Sequence, residues 1–175
     1  MIQGIIKKGK VIGENVPSPN VNPGCVLIKV VNSCISAGTE SHSVKGSKID
    51  GLIKKALKQP ERVKQVLNSV SSLGIQKTIA KVKGIVDGGA ATGYSISGVV
   101  VGVGDGVKDF EVGDRVTASG AGIANHAEFV DVPKNLVCKI PDRLNFEKAS
   151  TVTLGAIAMQ GVRRADLNLG EYCVV

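Results

Sequence analysis

The chain has 175 residues, which is enough for one folded domain or for one domain plus the start of another. Of these residues 43% are hydrophobic and 21% are charged, a balance that argues against disorder. Its apolar runs are too short to cross a bilayer and its N-terminus lacks a signal-peptide pattern, which predicts a cytoplasmic protein without membrane partners. The four Cys residues form no CxxC pair, which argues against a disulfide framework or a four-cysteine zinc lobe.

The first 44 residues predict strands and turns. MIQGIIKKGKVIGENVP has a Lys-Gly-Lys turn between two apolar runs, and NVNPGCVLIKVVNSCIS has a Pro-Gly turn before a β-branched run. The stretch CISAGTE, from Cys34 to Glu40, then places a thiol, hydroxyls and a carboxylate close to His42. It fits three interpretations, which are a working site, a site that has lost its metal, and an ordinary strand end.

The pattern changes to a helical period over about residues 46–86. In PERVKQVLNSVSSLG the apolar residues recur at helical spacing, with Pro60 in the first turn and Gly74 at the end. From Lys45 to Val86, ten Lys or Arg residues stand against two acidic ones, a net charge of +8, so the rest of the +7 chain sums to −1. We therefore predict a basic helical lobe inserted into a nearly neutral β-rich domain.

Strand character returns in YSISGVVVGVGDGVKDFEVGDRVTAS and in HAEFVDVPKNLVCKIPD, where His126 is expected at the core or rim of a strand. The glycines of GVGDG are predicted to form a turn rather than a phosphate loop, because no helix follows them. From Asn145 the sequence predicts a helix, and LGEYCVV predicts a strand at which the chain stops. We expect the natural protein to continue.

The order of these motifs resembles that of the medium-chain dehydrogenase/reductase superfamily. GYSISGVVVGVGDGVKDFEVGDRV is similar to its G-H-E-x-x-G-x-V-x-x-V-G followed by F-x-x-G-D-R-V. HAEFVDVPKNLVCKIPDRLNFEKAS is similar to its A-E-Y, V-P, L-x-x-I-P-D and S-F-E-x-A run. The resemblance covers residues 1–44 and 93–175. The long insertion and CISAGTE most resemble bacterial bi-domain oxidoreductases of polysaccharide biosynthesis.

The resemblance implies a mainly-β fold in two parts. Residues 1–144 would form a GroES-like β-barrel, the substrate domain, interrupted by the helical insertion. Residues 145–175 would form a linker helix and the first strand of a Rossmann domain, directly before the phosphate-binding glycine turn of that fold.

Zinc-dependent members of the superfamily hold their metal with a Cys in C-G-x-C-G-T-D, a His in G-H-E and a further Cys, because catalytic zinc takes about three nitrogen or sulfur ligands. The corresponding positions here are Ala37, Tyr94 and Ala156, none of which is a usual zinc ligand. Cys34 corresponds to a non-liganding Cys, which implies a packed thiol. The resemblance therefore implies a zinc-independent branch, similar to the quinone-reductase-like members.

Hydroxyls and one imidazole remain at the positions that the resemblance makes catalytic. Thr39 corresponds to the relay hydroxyl, Glu40 takes the place of an Asp, and His42 falls where some members keep a relay His. Together with Tyr94, these residues could orient a substrate oxygen and move a proton. The structural alternative is that Thr39 and Glu40 fix a strand end and that His42 is solvated. Tyr94 would then fill the space of the lost zinc.

The implied function is that of the substrate-binding half of a zinc-independent NAD(P)-dependent oxidoreductase, inactive as this segment alone. It would act on an alcohol or carbonyl, with a sugar or nucleotide sugar as the narrower expectation. NAD or NADP would bind mostly beyond the end of this chain. The alternative is a non-enzymatic GroES-like interaction module whose basic lobe docks on an anionic partner.

The partners expected for the enzyme are a small-molecule substrate, anionic if the basic lobe binds it, and the chain's own C-terminal Rossmann domain. A homo-oligomer is left open. Nucleic acid is not expected as a partner, because the basic segment has no aromatic residue on which a base could stack and no recognition motif.

Overall fold

The computed structural model describes residues 1–7, 9–46, 89–166, 168 and 170–174. The chain divides into two compact units, the first formed by residues 1, 17–34 and 93–175 and the second by residues 2–16 and 35–92. The prediction of a mainly-β fold is confirmed, because strands dominate the described part of the chain. From residue 47 onward, the predicted helical insertion lies outside the described residues.

In chain order the helices and strands are β1 (Ile2–Lys7), β2 (Lys10–Asn15), β3 (Cys25–Ser33), α1 (Ala37–Gly46), β4 (Ala90–Ala91), β5 (Ser95–Val103), β6 (Arg115–Ser119), β7 (Phe129–Pro133), β8 (Val137–Lys139), α2 (Phe146–Ala149) and α3 (Val152–Arg164). A short 3₁₀ helix over Lys134–Leu136 separates β7 from β8.

The first unit is built on a five-stranded antiparallel sheet in the order β7-β3-β5-β6-β8. Side chains two residues apart on a strand point to the same face. On β3 the buried pair is Val26 and Ile28, and on β5 it includes Ile96 and Val100. These side chains form one hydrophobic core with residues of β6, β7 and β8. The sheet face that packs on this core therefore follows the alternation seen in the sequence.

The second unit contains a three-stranded sheet in the order β2-β1-β4. β1 and β2 form the predicted hairpin, in which Lys7 pairs with Lys10. Gly9 adopts a φ of +79° in the turn, a conformation that glycine reaches without steric cost. An ion pair between Lys7 and Glu14, with Nζ 2.7 Å from Oε1, links the two strands of the hairpin.

Helix α1 is a correction to the sequence prediction, which gave strands and turns up to residue 44. The helix spans Ala37–Gly46 and begins after Ser36, whose carbonyl accepts the backbone N–H of Glu40 at 2.9 Å. Glu40 lies in the first turn, where a negative charge complements the helix dipole. The residues between Cys34 and Glu40 are therefore a strand end followed directly by a helix start.

The glycine-rich segment after β5 is a turn between two antiparallel strands, as predicted. Gly106 has a φ of +80° in this turn, whereas Gly102 lies within β5 and was wrongly assigned to a turn. No helix begins at this segment within the described residues, so its amides do not form a helix N-terminus that could bind phosphate.

The helix predicted from Asn145 is confirmed, but it is divided into α2 and α3. The Asn145 side chain caps α2 by accepting the backbone N–H of Lys148 at 2.9 Å. Residues 171–174 have no regular secondary structure, and the strand expected there stays a prediction. Of the helices in the described ranges, none has the length and apolar character needed to span a bilayer.

Candidate active site

Tyr94 directly precedes β5, and its backbone is held from two sides. Its carbonyl oxygen accepts a hydrogen bond from the Gly120 amide at 2.9 Å and lies 3.2 Å from the Thr153 hydroxyl, which donates to it. Gly120 follows β6, and Thr153 lies in the first turn of α3. The position of Tyr94 is therefore fixed by groups from two separate elements, while its side chain remains partly exposed.

A buried hydroxyl face joins β5 and β6 to α2. Ser95 Oγ donates to the carbonyl of Ser150, and Ser97 Oγ donates to that of Phe146, each at 2.6 Å. Thr117, paired with Ser97 across the two strands, has its hydroxyl 2.8 Å from the carbonyl oxygens of Ile96 and Ala149. A short helix leaves its last carbonyls without intrahelical partners, and these hydroxyls satisfy some of them. The S-x-S pattern of β5 thus docks the corner between α2 and α3 beside Tyr94.

Gly93 allows a loop to approach the start of β5 closely. Its φ is +102°, and a Cβ at this position would lie 2.5 Å from the backbone N of His126 and 2.9 Å from the carbonyl carbon of Asn125. Only glycine has room here. His126, predicted to lie on a strand, instead precedes β7 in a bend, and it is half-buried.

The other three candidate residues lie together on α1, in the second unit. The Ser36 hydroxyl donates to Thr39 Oγ1 at 3.2 Å, and Glu40 is partly buried while Thr39 is exposed. The side chain of His42 lies outside the described part of the structure. Thr39 and His42 are three residues apart along α1. Tyr94 belongs to the first unit, so the prediction that all four residues share one site stays a prediction.

The residues present do not fit a catalytic zinc of the kind that the resemblance describes. Ala37 begins α1 and Ala156 lies on α3, and an alanine offers no donor atom. The third position, Tyr94, offers only a phenol. Among the described residues, no group of three or more His, Cys, Asp and Glu side chains is arranged to hold a metal ion. Independence from zinc nevertheless stays a prediction about the whole protein.

Groups with shifted pKa values tie strands of the first unit together. Burial, reinforced by the Asp131 carboxylate, raises the pKa of the Cys25 thiol. The hydrogen bond from Lys139 lowers the pKa of Asp114 and in return raises that of Lys139, with Nζ 2.8 Å from Oδ2. The Asp114–Lys139 pair thus favours the charged form of both side chains, and the surroundings of Cys25 favour its protonated thiol. None of these residues is a candidate catalytic residue.

Sequence reasoning missed two residues beside Tyr94. Thr153 reaches the Tyr94 carbonyl from α3, and Asn125 is buried in the loop that packs on Gly93. The sequence signal for Asn125 was a polar residue between Ala124 and the H-A-E-F run. For Thr153 there was no local signal, because its partner lies 59 residues away in the chain.

Comparison of the sequence with known proteins identifies a family. Residues 22–142 match the model of the alcohol dehydrogenase GroES-like domain. The chain is 26% identical over 185 aligned residues to (R,R)-butanediol dehydrogenase of Bacillus subtilis, covering 93% of this chain and 46% of that enzyme. The chain thus spans about half the length of this relative.

Solved structures share the fold. The quinone oxidoreductase from Coxiella burnetii aligns with a TM-score of 0.67 at 19% identity, covering 97% of this chain and 46% of that chain. A mycobacterial protein complexed with NADPH aligns with a TM-score of 0.62 at 20% identity, covering 97% of this chain and 42% of that chain. The predicted GroES-like fold is confirmed, and the chain belongs to the alcohol dehydrogenase GroES-like domain family.

Proposed function

We propose that this chain is the substrate-binding half of a zinc-independent, NAD(P)-dependent oxidoreductase that interconverts an alcohol and a carbonyl. The observation that carries the proposal is the family match over residues 22–142. Support comes from the names of similar proteins, which include a butanediol dehydrogenase and a protein complexed with NADPH. Residues 1–144 form the substrate domain, and residues 145–175 begin the dinucleotide-binding domain of the whole protein.

Tyr94 is the hydrogen-bond donor to the substrate oxygen. A phenol keeps its proton at neutral pH, and it can donate to the negative charge that develops on an alcohol or carbonyl oxygen. The two hydrogen bonds to the Tyr94 carbonyl support this role, because a donor stabilises a transition state best when its position is fixed in advance. Thr39, Glu40 and His42 then serve as the proton relay to solvent.

The nicotinamide supplies or accepts the hydride when it is bound. In the described part of the chain, the GVGDG segment is a turn between β5 and β6 and does not form a phosphate site for it. We therefore assign the cofactor, NAD or NADP, mostly to residues of the whole protein outside this chain. Under this assignment, residues of this chain contact the substrate, and residues outside it mainly determine the affinity for the cofactor.

The narrower substrate class is a sugar or nucleotide sugar, handled in the cytoplasm by a bacterial bi-domain oxidoreductase of polysaccharide biosynthesis. Support comes from the net charge of +8 between Lys45 and Val86, which creates a positive potential that attracts an anion and weakens with salt. Reversing the charges of Lys54, Lys55 and Lys58 should remove the salt dependence of substrate binding. An unchanged salt dependence would exclude an anionic substrate bound by this segment.

The test of the proposed function is a nicotinamide-linked assay of the whole protein with a panel of diols, sugars and nucleotide sugars. We expect cofactor reduction or oxidation with at least one of them, and metal analysis should give well below one equivalent of zinc. Activity should survive a chelator. Stoichiometric zinc, or activity lost to the chelator and restored by zinc, would contradict the metal-free mechanism. Inactivity of the intact protein across the panel would favour the non-enzymatic module.

A further inference from the structure

Thr153, in the first turn of α3, makes hydrogen bonds to two consecutive residues at the start of β5. Its backbone N–H donates to Ser95 Oγ at 3.3 Å, and its hydroxyl donates to the Tyr94 carbonyl at 3.2 Å. Both bonds are partly buried, and they join residues that lie 58 and 59 positions apart in the chain. A single residue of α3 is therefore attached to both Tyr94 and its neighbour.

The two bonds differ in what they do for α3. The first N–H groups of a helix have no intrahelical partner, and Ser95 Oγ accepts one of them. Within the described residues, the Thr151 side chain makes no capping bond and instead donates to the Lys148 carbonyl at 2.8 Å. The bond from the Thr153 amide thus serves as the cap of the helix. The Thr153 hydroxyl is not needed for this cap, and its bond acts on the Tyr94 backbone.

The backbone of Tyr94 follows a glycine and is held on both sides. Gly93 has a φ of +102°, and the backbone of residues 125–126 packs closely against it. After Tyr94, the carbonyl accepts the Gly120 amide at 2.9 Å and the Thr153 hydroxyl. These bonds restrict rotation of the peptide group that follows Tyr94. Because the rotamers open to a side chain depend on the backbone angles of its own residue, they also restrict the orientation of the phenol.

We propose that Thr153 is a positioning residue, whose hydroxyl holds the Tyr94 phenol in one orientation through the Tyr94 carbonyl. The inference rests on the proposed function, because it takes that phenol as the donor to the reacting oxygen. A catalytic group misplaced by about 1 Å can cost about 100-fold in rate. Since the Gly120 bond to the same carbonyl remains when the hydroxyl is removed, we expect a smaller loss, of about tenfold.

The first measurement is the NMR signal of the Tyr94 ring in the whole protein with isotope-labelled tyrosine, identified by its loss in Tyr94→Phe. The wild type and Thr153→Ser, which keeps the hydroxyl, should give one signal at nearly the same chemical shift. Thr153→Val keeps the branched shape but lacks the donor, so the signal should shift or broaden. Thr151→Val is the matched control, because it removes a hydroxyl bond to another carbonyl at the same end of α3. It should leave the signal unchanged.

The second measurement is turnover of the same variants, resolved into kcat and KM. Thr153→Val should lower kcat by about tenfold and leave KM within about twofold of the wild-type value. Thr153→Ser and Thr151→Val should keep kcat close to that of the wild type. In the Tyr94→Phe background, Thr153→Val should lower kcat no further, because a residue that acts through the phenol oxygen has no effect once that oxygen is absent.

An unchanged Tyr94 signal in Thr153→Val overturns the inference. An unchanged kcat in this variant, or an equal loss with and without the Tyr94 phenol oxygen, overturns it as well, because a general loss of stability acts in both backgrounds. A Tyr94 signal that changes as expected, in a wild type that shows no nicotinamide-linked turnover, would uphold the positioning and overturn the proposed function.

Discussion

The start of β5 and the start of α1 carry the four candidate catalytic residues in contrasting surroundings. At β5, Ser95 is fully buried, and the Tyr94 carbonyl accepts hydrogen bonds from residues that follow β6 and begin α3. At α1, the exposed Thr39 contacts Ser36 within the same helical turn. The first region is held by contacts distant in sequence, whereas the Ser36–Thr39 hydrogen bond at the second region joins residues three apart.

This difference agrees with the two catalytic roles proposed for these residues. A donor that stabilises developing charge must be held in place before the reaction, whereas a relay that exchanges protons with solvent works at an exposed position. The backbone of Tyr94 is held as the proposed donor role requires, and Thr39 is exposed as the proposed relay role requires. The contrast therefore predicts that substitutions at the start of β5 affect stability much more than substitutions on α1.

The largest effect is expected from Gly93→Ala. The new Cβ would lie 2.5 Å from a backbone atom, at a φ of +102° that non-glycine residues rarely adopt. The free energy of unfolding should fall by about 3 kcal/mol or more in urea titrations. Gly106→Ala is the control, because Gly106 also has a positive φ but nothing within 4 Å of its Cβ position. It should cost only about 1 kcal/mol, and equal losses for the two variants would show that the loop does not press on Gly93.

Ser95→Ala should have the next largest effect. The substitution removes the 2.6 Å hydrogen bond to the Ser150 carbonyl and the acceptor for the Thr153 amide. Since both partners are left without this bond at a buried position, the free energy of unfolding should fall by about 1–3 kcal/mol. Hydrogen exchange at the Thr153 amide should also become faster. An unchanged exchange rate would show that Ser95 does not hold the corner between α2 and α3.

Thr39→Val should have the smallest effect on stability. The Thr39 side chain is exposed, and substitutions at such positions usually change the free energy of unfolding by no more than about 0.5 kcal/mol. Urea titration of Thr39→Val and Ser95→Ala under the same conditions compares their free energies of unfolding. A loss for Thr39→Val as large as that for Ser95→Ala would remove the distinction between a fixed region and an exposed relay.

Much of the fold could be predicted because its signals are local. Alternation in β3 and β5, the Lys-Gly-Lys turn and the Asn145 cap each depend on a few neighbouring residues. Helix α1 was missed because Val44 is the only large aliphatic residue between Ala37 and Gly46, so no apolar stripe signals a helix. Its start depends on Ser36 and on the acidic Glu40 instead.

The candidate site was only partly predictable. The resemblance gave Tyr94 and the residues of α1, but the contacts that fix Tyr94 come from Gly120 and Thr153, which are distant in sequence. The burial of Asn125 likewise depends on a loop folding against Gly93, a close approach that no local pattern encodes. Such contacts follow from the register of the sheet, which must be known before they can be inferred.

Tyr94→Phe tests the central claim most directly, because it removes only the phenol oxygen. If Tyr94 is the hydrogen-bond donor to the developing oxyanion, turnover by the whole protein should fall by about 100-fold or more. Affinity for the nicotinamide cofactor, measured by direct titration, and the urea midpoint should stay nearly unchanged. A fully active Tyr94→Phe variant would contradict the account, make Tyr94 a space-filling residue and transfer the donor role to Thr39, with His42 as its relay.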